Sequence, residues 1–165
     1  MPALVILGVS GSGKTTVARG MAQHYGYEFL DADDFHSADA KARMASGVPL
    51  TDAQREPWVA ALVQVLQANE QVGRSSVLAF SGLRAAHRQT LRESGVPMRF
   101  VFLHIDPTQV AARLQQRSGH FMPAGLLDSQ FAALQNPSRE PDVLSIDVTG
   151  TPADVLSRVM AALEA

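Results

Sequence analysis

The sequence predicts an α/β protein, a parallel sheet covered by helices on both faces. Two observations carry this: five short, nearly continuous apolar runs recur along the chain, and the segments between them repeat their apolar residues at helical spacing. A third fixes how the fold begins. The run Ala3-Leu4-Val5-Ile6-Leu7 leads directly into the pattern G-x-x-x-x-G-K-T at residues 8–15. With 165 residues and 46% hydrophobic content the chain is long enough for one well-buried core, so a single domain over 1–165 is expected.

Each element has its own local justification. The first strand is read at 3–7, and the glycine-rich stretch after it opens the first helix. The second strand, 27–33, ends in carboxylates. Thr51-Asp52-Ala53-Gln54 has the form of a capping box, but Pro57 would then lie within the helix, removing a backbone hydrogen bond and clashing with the preceding turn. A tight turn at 52–55 is therefore expected, with a helix starting near Pro57, Trp58, Leu62, Val65 and Leu66 facing inward, and Arg55 projecting from the turn. The third and fourth strands are read at 76–80 and 99–105. Asp106-Pro107-Thr108-Gln109 then supplies an N-cap, a proline at the first helical position and a capping-box glutamine. Gly119 to Gly125 is the most loop-like interior stretch and is read as a lid over about 118–125. A fifth strand at 142–148 and a last helix opened by Thr151-Pro152 complete the chain, with Val155, Leu156, Val159, Met160 and Leu163 forming an apolar stripe.

Composition excludes several classes of function. The net charge of −2 gives no general pull toward nucleic acid or an anionic membrane. Without cysteine there is no disulfide scaffold, thiolate metal site or cysteine nucleophile. No basic leader precedes the first apolar run, and the apolar runs extend to about six residues, far short of the roughly twenty that span a bilayer. A soluble, cytoplasmic protein with no nucleic-acid or membrane partner is expected.

Residues 8–16, Gly8-Val9-Ser10-Gly11-Ser12-Gly13-Lys14-Thr15-Thr16, have the chemistry of a phosphate-binding P-loop. Glycines let successive N–H groups converge on one anion, and the helix that follows adds the positive end of its dipole. Lys14 supplies a point charge to the β and γ phosphates of ATP, and the Thr15 hydroxyl is a ligand for Mg²⁺. Lys14 and Lys41 are the only lysines in the chain; a lysine at the phosphate-loop position fits a specific role for an ammonium.

The second strand ends in Asp31, Asp33 and Asp34, followed by His36. In a doubly wound sheet the carboxyl ends of the strands face the ligand crevice. Alternation along an extended strand end puts Asp31 and Asp33 on one side, one near a metal and one near an acceptor hydroxyl whose proton it receives; a solvated acidic turn is the alternative. Arg113 and Arg117, at i and i+4, suit either a nucleotide clamp or a solvated helix face. Arg84 and Arg88 have the same spacing after the third strand, and with Arg55 they are candidates for gripping an anionic acceptor. His24, His87 and His104 are read as structural.

Taken together, the segments 8–16, 29–36, Met44 to Trp58, Ser81 to Arg92 and Arg117 to Pro137 resemble the gluconate kinase (gluconokinase) family of small P-loop kinases, relatives of the shikimate and adenylate kinases. The most telling piece is M-A-S-G-x-P-L-x-D-x-x-R-x-P-W at 44–58. The resemblance implies a three-layer P-loop NTPase-type sandwich with strand order 2-3-1-4-5 and a small lid. It also implies transfer of the γ-phosphoryl of ATP to the 6-hydroxyl of D-gluconate. By the same resemblance Asp33 is the acceptor-side base, Asp31 lies near the Mg²⁺ shell, and Lys14 and Arg117 act on the transferring group. His36, Arg55, Arg84, Arg88 and His120 bind the sugar acid, Arg113 stacks on adenine, and the chain forms a homodimer. Where family members usually read Cys-Ser-Ala-Leu-Lys followed by Tyr-Arg, this chain has Phe80-Ser81-Gly82-Leu83-Arg84 and His87-Arg88. A kinase for another small hydroxy acid, such as shikimate or a different aldonate, is the nearest alternative reading, and a nucleotide-dependent regulatory switch the next.

Overall fold

The structure is a computed structural model that describes residues 3–116 and 124–165. Strands β1 (Ala3–Leu7), β2 (Glu28–Asp31), β3 (Ser76–Phe80), β4 (Met98–His104) and β5 (Val143–Asp147) pair in parallel in the order β2-β3-β1-β4-β5. Helices α1 (Lys14–Tyr25), α2 (Ala38–Ala45), α3 (Asp52–Gln71), α4 (Ala85–Arg92), α5 (Pro107–Gln116), α6 (Ala124–Ala133) and α7 (Pro152–Glu164) connect and flank them.

Every residue of β1 is buried. Leu4 and Ile6 join Val17, Met21, Val155 and Val159 in the core under α1 and α7. Ala3, Val5 and Leu7 join Trp58, Leu62, Leu66 and Leu91 under α3 and α4. Successive strand residues point to opposite faces, and here both faces are covered, so the strand reads as an unbroken apolar run.

Helix α3 corrects the expected start near Pro57. Thr51 Oγ1 accepts from Gln54 N–H and Gln54 Oε1 accepts from Thr51 N–H, closing the capping box, and the helix runs from Asp52 through Pro57. Proline costs a helix about 3 kcal/mol, whereas each large apolar side chain fully buried contributes about 1.5–3 kcal/mol. Trp58, Val59, Leu62 and Leu66 are all buried on this helix, and Trp58 Nε1 donates to Ala32 O at 2.6 Å. Burial therefore outweighs the defect, and Arg55 belongs to the first turns of a helix rather than to a loop.

The other caps form as expected. Asp106 and Gln109 exchange side-chain to backbone hydrogen bonds at the start of α5, and Thr151, expected as an N-cap before Pro152, does the same with Asp154, a partner that the sequence reading did not name. Strand β2 ends two residues earlier than read, because Asp31 caps a 3-10 turn over Ala32–Phe35. The expected lid falls largely outside the described residues.

Candidate active site

The two loops that frame the site leave the adjacent strands β1 and β3. In this strand order the chain turns one way from β1 and the other way from β3, and crevices form outside the carboxyl ends of strands at such a switch. Gly8 N–H donates to Ser81 O at 3.3 Å, tying the two loops together. Gly13 precedes α1 with φ 93°, a left-handed conformation that glycine adopts without strain, and no side chain caps the helix. The first N–H groups of α1 are thus left for an anion. Gly82 has φ +56°, and a Cβ there would lie 2.4 Å from Leu7 Cδ2. The lack of a Cβ at Gly82 therefore fits the packing of Leu7 and the buried Phe80 against this loop.

A cleft opens at these strand ends. Its walls are Ser10 and Lys14 of the phosphate loop, Asp33 and His36 after β2, Met44 and Leu50, Arg55 and Trp58 of α3, Ser81 and Leu83 after β3, and Gln130 of α6. The enclosed volume is about 50 Å³, room for a water or so. Past Leu50 lies a wider groove of about 600 Å³ bordered by Ser37, Asp39, Arg43, Ser46 and Gln54.

Burial pushes the Lys14 ammonium below the usual lysine range, while the carboxylates of Asp33 and Asp31 pull it back up. Burial raises the Asp31 carboxyl; the Asp33 N–H that Asp31 Oδ1 accepts at 3.0 Å lowers it, and the neighbouring Asp33 and Asp34 charges raise it. Asp31 and Asp33 thus come together through a cap and its 3-10 turn, and not through strand alternation as expected. His36 is buried and its ring stacks on Trp58 with centroids 3.9 Å apart. Burial lowers its pKa, Asp33 opposes this, and Arg55 and Lys41 add to it. Its buried Nδ1 has no hydrogen-bond partner among the described residues.

The arginines divide differently from the sequence expectation. Arg55 lines the cleft and is held by Asp52 at 3.5 Å. Arg84 does not line it; its Nε sits 3.5 Å from the other Asp52 oxygen and its Nη1 donates to Ala133 O. Arg88 is a correction. Its side chain is fully buried, donating from Nε and Nη2 to Glu140, from Nη1 to Gly82 O at 2.6 Å and from Nη2 to Gln135 O at 2.9 Å. With four of its N–H bonds spent inside the protein, Arg88 anchors the loop after β3 and is not among the residues that line the cleft. His87 is buried, with its pKa lowered chiefly by burial, in keeping with a structural role. The Arg113 side chain, Arg117 and His120 lie outside the described residues.

Six cleft residues were assigned no site role in the sequence reading, among them Met44, Leu50 and Ser81. Trp58 was read as core only, and Leu83 and Gln130 were given no role. Gln130 is separated from the phosphate loop by 120 positions, and no spacing rule joins them.

The described residues contain no cluster of three or more metal-ligating side chains. This donor set fits Mg²⁺, which usually takes one or two protein ligands and fills its remaining positions with phosphate and water. Thr15, beside Lys14, and Asp31 are of the right chemistry. None of the described helices is long and apolar enough to cross a membrane.

Comparison with known proteins agrees with this architecture. The family model described as an AAA domain matches residues 4–137. A gluconokinase from Gluconobacter oxydans is 40% identical over 98% of this chain and 91% of its own. Among solved structures, a sugar kinase from Janibacter sp. superposes with TM-score 0.93 at 37% identity, covering 99% of this chain and 95% of that one. A gluconokinase from Sinorhizobium meliloti does so with TM-score 0.84 at 35% identity, covering 98% and 95%.

Proposed function

Since the chain belongs to the gluconokinase family of P-loop kinases, we propose that it transfers the γ-phosphoryl group of ATP to the 6-hydroxyl of D-gluconate, giving 6-phospho-D-gluconate and ADP. The observation that carries this reading is the meeting of a phosphate-loop lysine, a carboxylate and an arginine, Lys14, Asp33 and Arg55, in one cleft. A kinase needs such groups to bind and deprotonate an acceptor, which a nucleotide switch does not have.

In this reading the loop 8–16 and Lys14 bind the phosphates and hold the γ group in line with the acceptor. Asp33 orients the 6-hydroxyl and receives its proton as the new O–P bond forms and the bond to the β-γ bridging oxygen breaks. Arg55 grips the acceptor carboxylate, and the His36 ring in the cleft wall meets one of its hydroxyls. Thr15 and Asp31 would hold Mg²⁺ together with the nucleotide, and the ion would supply neutralisation of the phosphate charge. Arg113 on adenine, and Arg117 and His120 near the transferring group and acceptor, complete the proposal, with the segment 118–125 excluding water. The acceptor is larger than the enclosed cleft. Helix α2 has no buried residue and borders the wider groove, so it is the wall expected to yield. A single domain, working in the cytoplasm as a homodimer, is part of the same proposal.

The test is a coupled ADP-release assay with Mg·ATP against a panel of sugar acids and hydroxy acids. Strong stimulation by D-gluconate with product phosphorylated at the 6-position is expected. Stimulation by a different acid would replace the acceptor and keep the kinase. Tight ATP binding with no stimulation by any acceptor would overturn the reading.

A further inference from the structure

Gln130 reaches from α6 to the phosphate loop and holds one residue of it by both ends of its carboxamide. Oε1 accepts the Ser10 backbone N–H at 2.8 Å, and Nε2 donates to Ser10 Oγ at 3.1 Å. Ser10 and Gln130 line the same cleft as Lys14 and Asp33, so the clasp sits on the side of the loop that faces the acceptor. A phosphate loop works because its N–H groups are fixed in direction before the anion arrives. The Ser10 N–H is taken up by a side chain from another element, which holds this residue of the loop in place for the N–H groups that follow it. The group is a neutral amide, able to accept from the N–H and donate to the hydroxyl without placing charge beside a phosphate. A carboxylate in the same place would hold the N–H and repel the transferring group.

We propose that Gln130 is a positioning residue for phosphoryl transfer: its clasp on Ser10 fixes the acceptor-facing wall of the phosphate loop, so that the γ-phosphoryl group meets the acceptor hydroxyl at Asp33 and not water. The inference rests on the kinase reading above. Geometry of this kind is costly to lose, since a misplacement of about 1 Å lowers a rate by about a hundredfold. ATP affinity depends on the whole loop and on Lys14, and is much less sensitive.

The test uses the full chain with Gln130→Leu and Gln130→Glu, beginning from a parent whose ADP release is stimulated by D-gluconate. An unstimulated parent would overturn the kinase reading itself, an outcome distinct from stimulated parent and indifferent variants, which overturns only the role of Gln130. Gln130→Leu is expected to lower kcat by about a hundredfold with the ATP KM within about threefold, and to raise the share of ATP lost to water. Gln130→Glu supplies a readout that packing alone would not move. Its activity relative to the parent should rise about tenfold as the pH falls from about 8 toward the carboxyl titration range, because the protonated carboxyl again both accepts and donates. Ser10→Ala should be non-additive with Gln130→Leu. A Gln130→Leu kcat within about threefold of the parent would overturn the proposal. So would a Gln130→Glu to parent ratio that stays flat across pH, and this second arm stands even where the leucine variant fails to fold.

Discussion

Glu140→Gln is expected to lower stability substantially while leaving acceptor binding intact. Arg88 is fully buried, and Glu140 accepts from its Nε at 3.1 Å and its Nη2 at 2.5 Å, as well as from Arg92 Nη2 at 2.6 Å. Glutamine removes the charge and, in either orientation of its amide, turns an NH₂ donor toward the Arg88 guanidinium. Removing one partner of a buried ion pair costs about 3–5 kcal/mol. Two features reduce that here: Arg88 keeps its bonds to Gly82 O and Gln135 O, and the Glu140 side chain is 25% exposed. An effect of about 2–3 kcal/mol remains, which for a chain of this size is a fall in Tm of about 4–12 °C.

The assay is thermal unfolding at neutral pH with acceptor kinetics on the same samples. Burial pushes the Glu140 carboxyl up, but the hydrogen bonds and charges of Arg88 and Arg92 outweigh it and hold the group below the usual carboxylate range. A depressed carboxylate pKa contributes stability that is complete above the unfolded pKa and is lost as pH falls through the folded one. The difference in Tm between parent and variant should therefore shrink on acidification. A variant melting within about 2 °C of the parent, but with its acceptor KM raised more than about tenfold, would refute the structural role and return Arg88 to the acceptor site.

Three other outcomes are expected. Asp33→Asn should leave ATP affinity within about threefold and cut turnover at least about a hundredfold, measured by equilibrium binding and steady-state rates; near-normal turnover removes Asp33 as the base. Arg55→Lys should raise the acceptor KM about tenfold with the ATP KM unchanged, because an ammonium cannot grip a carboxylate bidentately, and an unchanged acceptor KM would move the carboxylate elsewhere. Burial lowers the pKa of both His36 and His87, so the unfolded chain takes up their protons first as pH falls, and stability declines below the ordinary histidine range. Denaturant unfolding of His36→Asn across pH should show a shallower decline, and a slope equal to the parent's would mean that His36 does not contribute.

The sequence by itself determined the sheet, the phosphate loop and most helix starts, because these depend on patterns within a few residues. Leu4 and Ile6 alternate with Ala3, Val5 and Leu7 toward two covered faces, Gly13 accepts a left-handed turn, and Thr151 and Asp154 close a box three residues apart. Local pattern misread the start of α3, where the cost of Pro57 is local but the compensation, Trp58 buried against Ala32, is not. Only the tertiary structure decided which arginine faces the cleft. Arg84 and Arg88 share a spacing, yet Glu140, 52 positions away, draws Arg88 into the interior, while Arg55 is left at the cleft beside Asp52. It decided likewise that Gln130 meets Ser10. A side chain's chemistry is set by its sequence identity, but its partners are set by the packing of distant elements, and spacing along one helix carries no record of them.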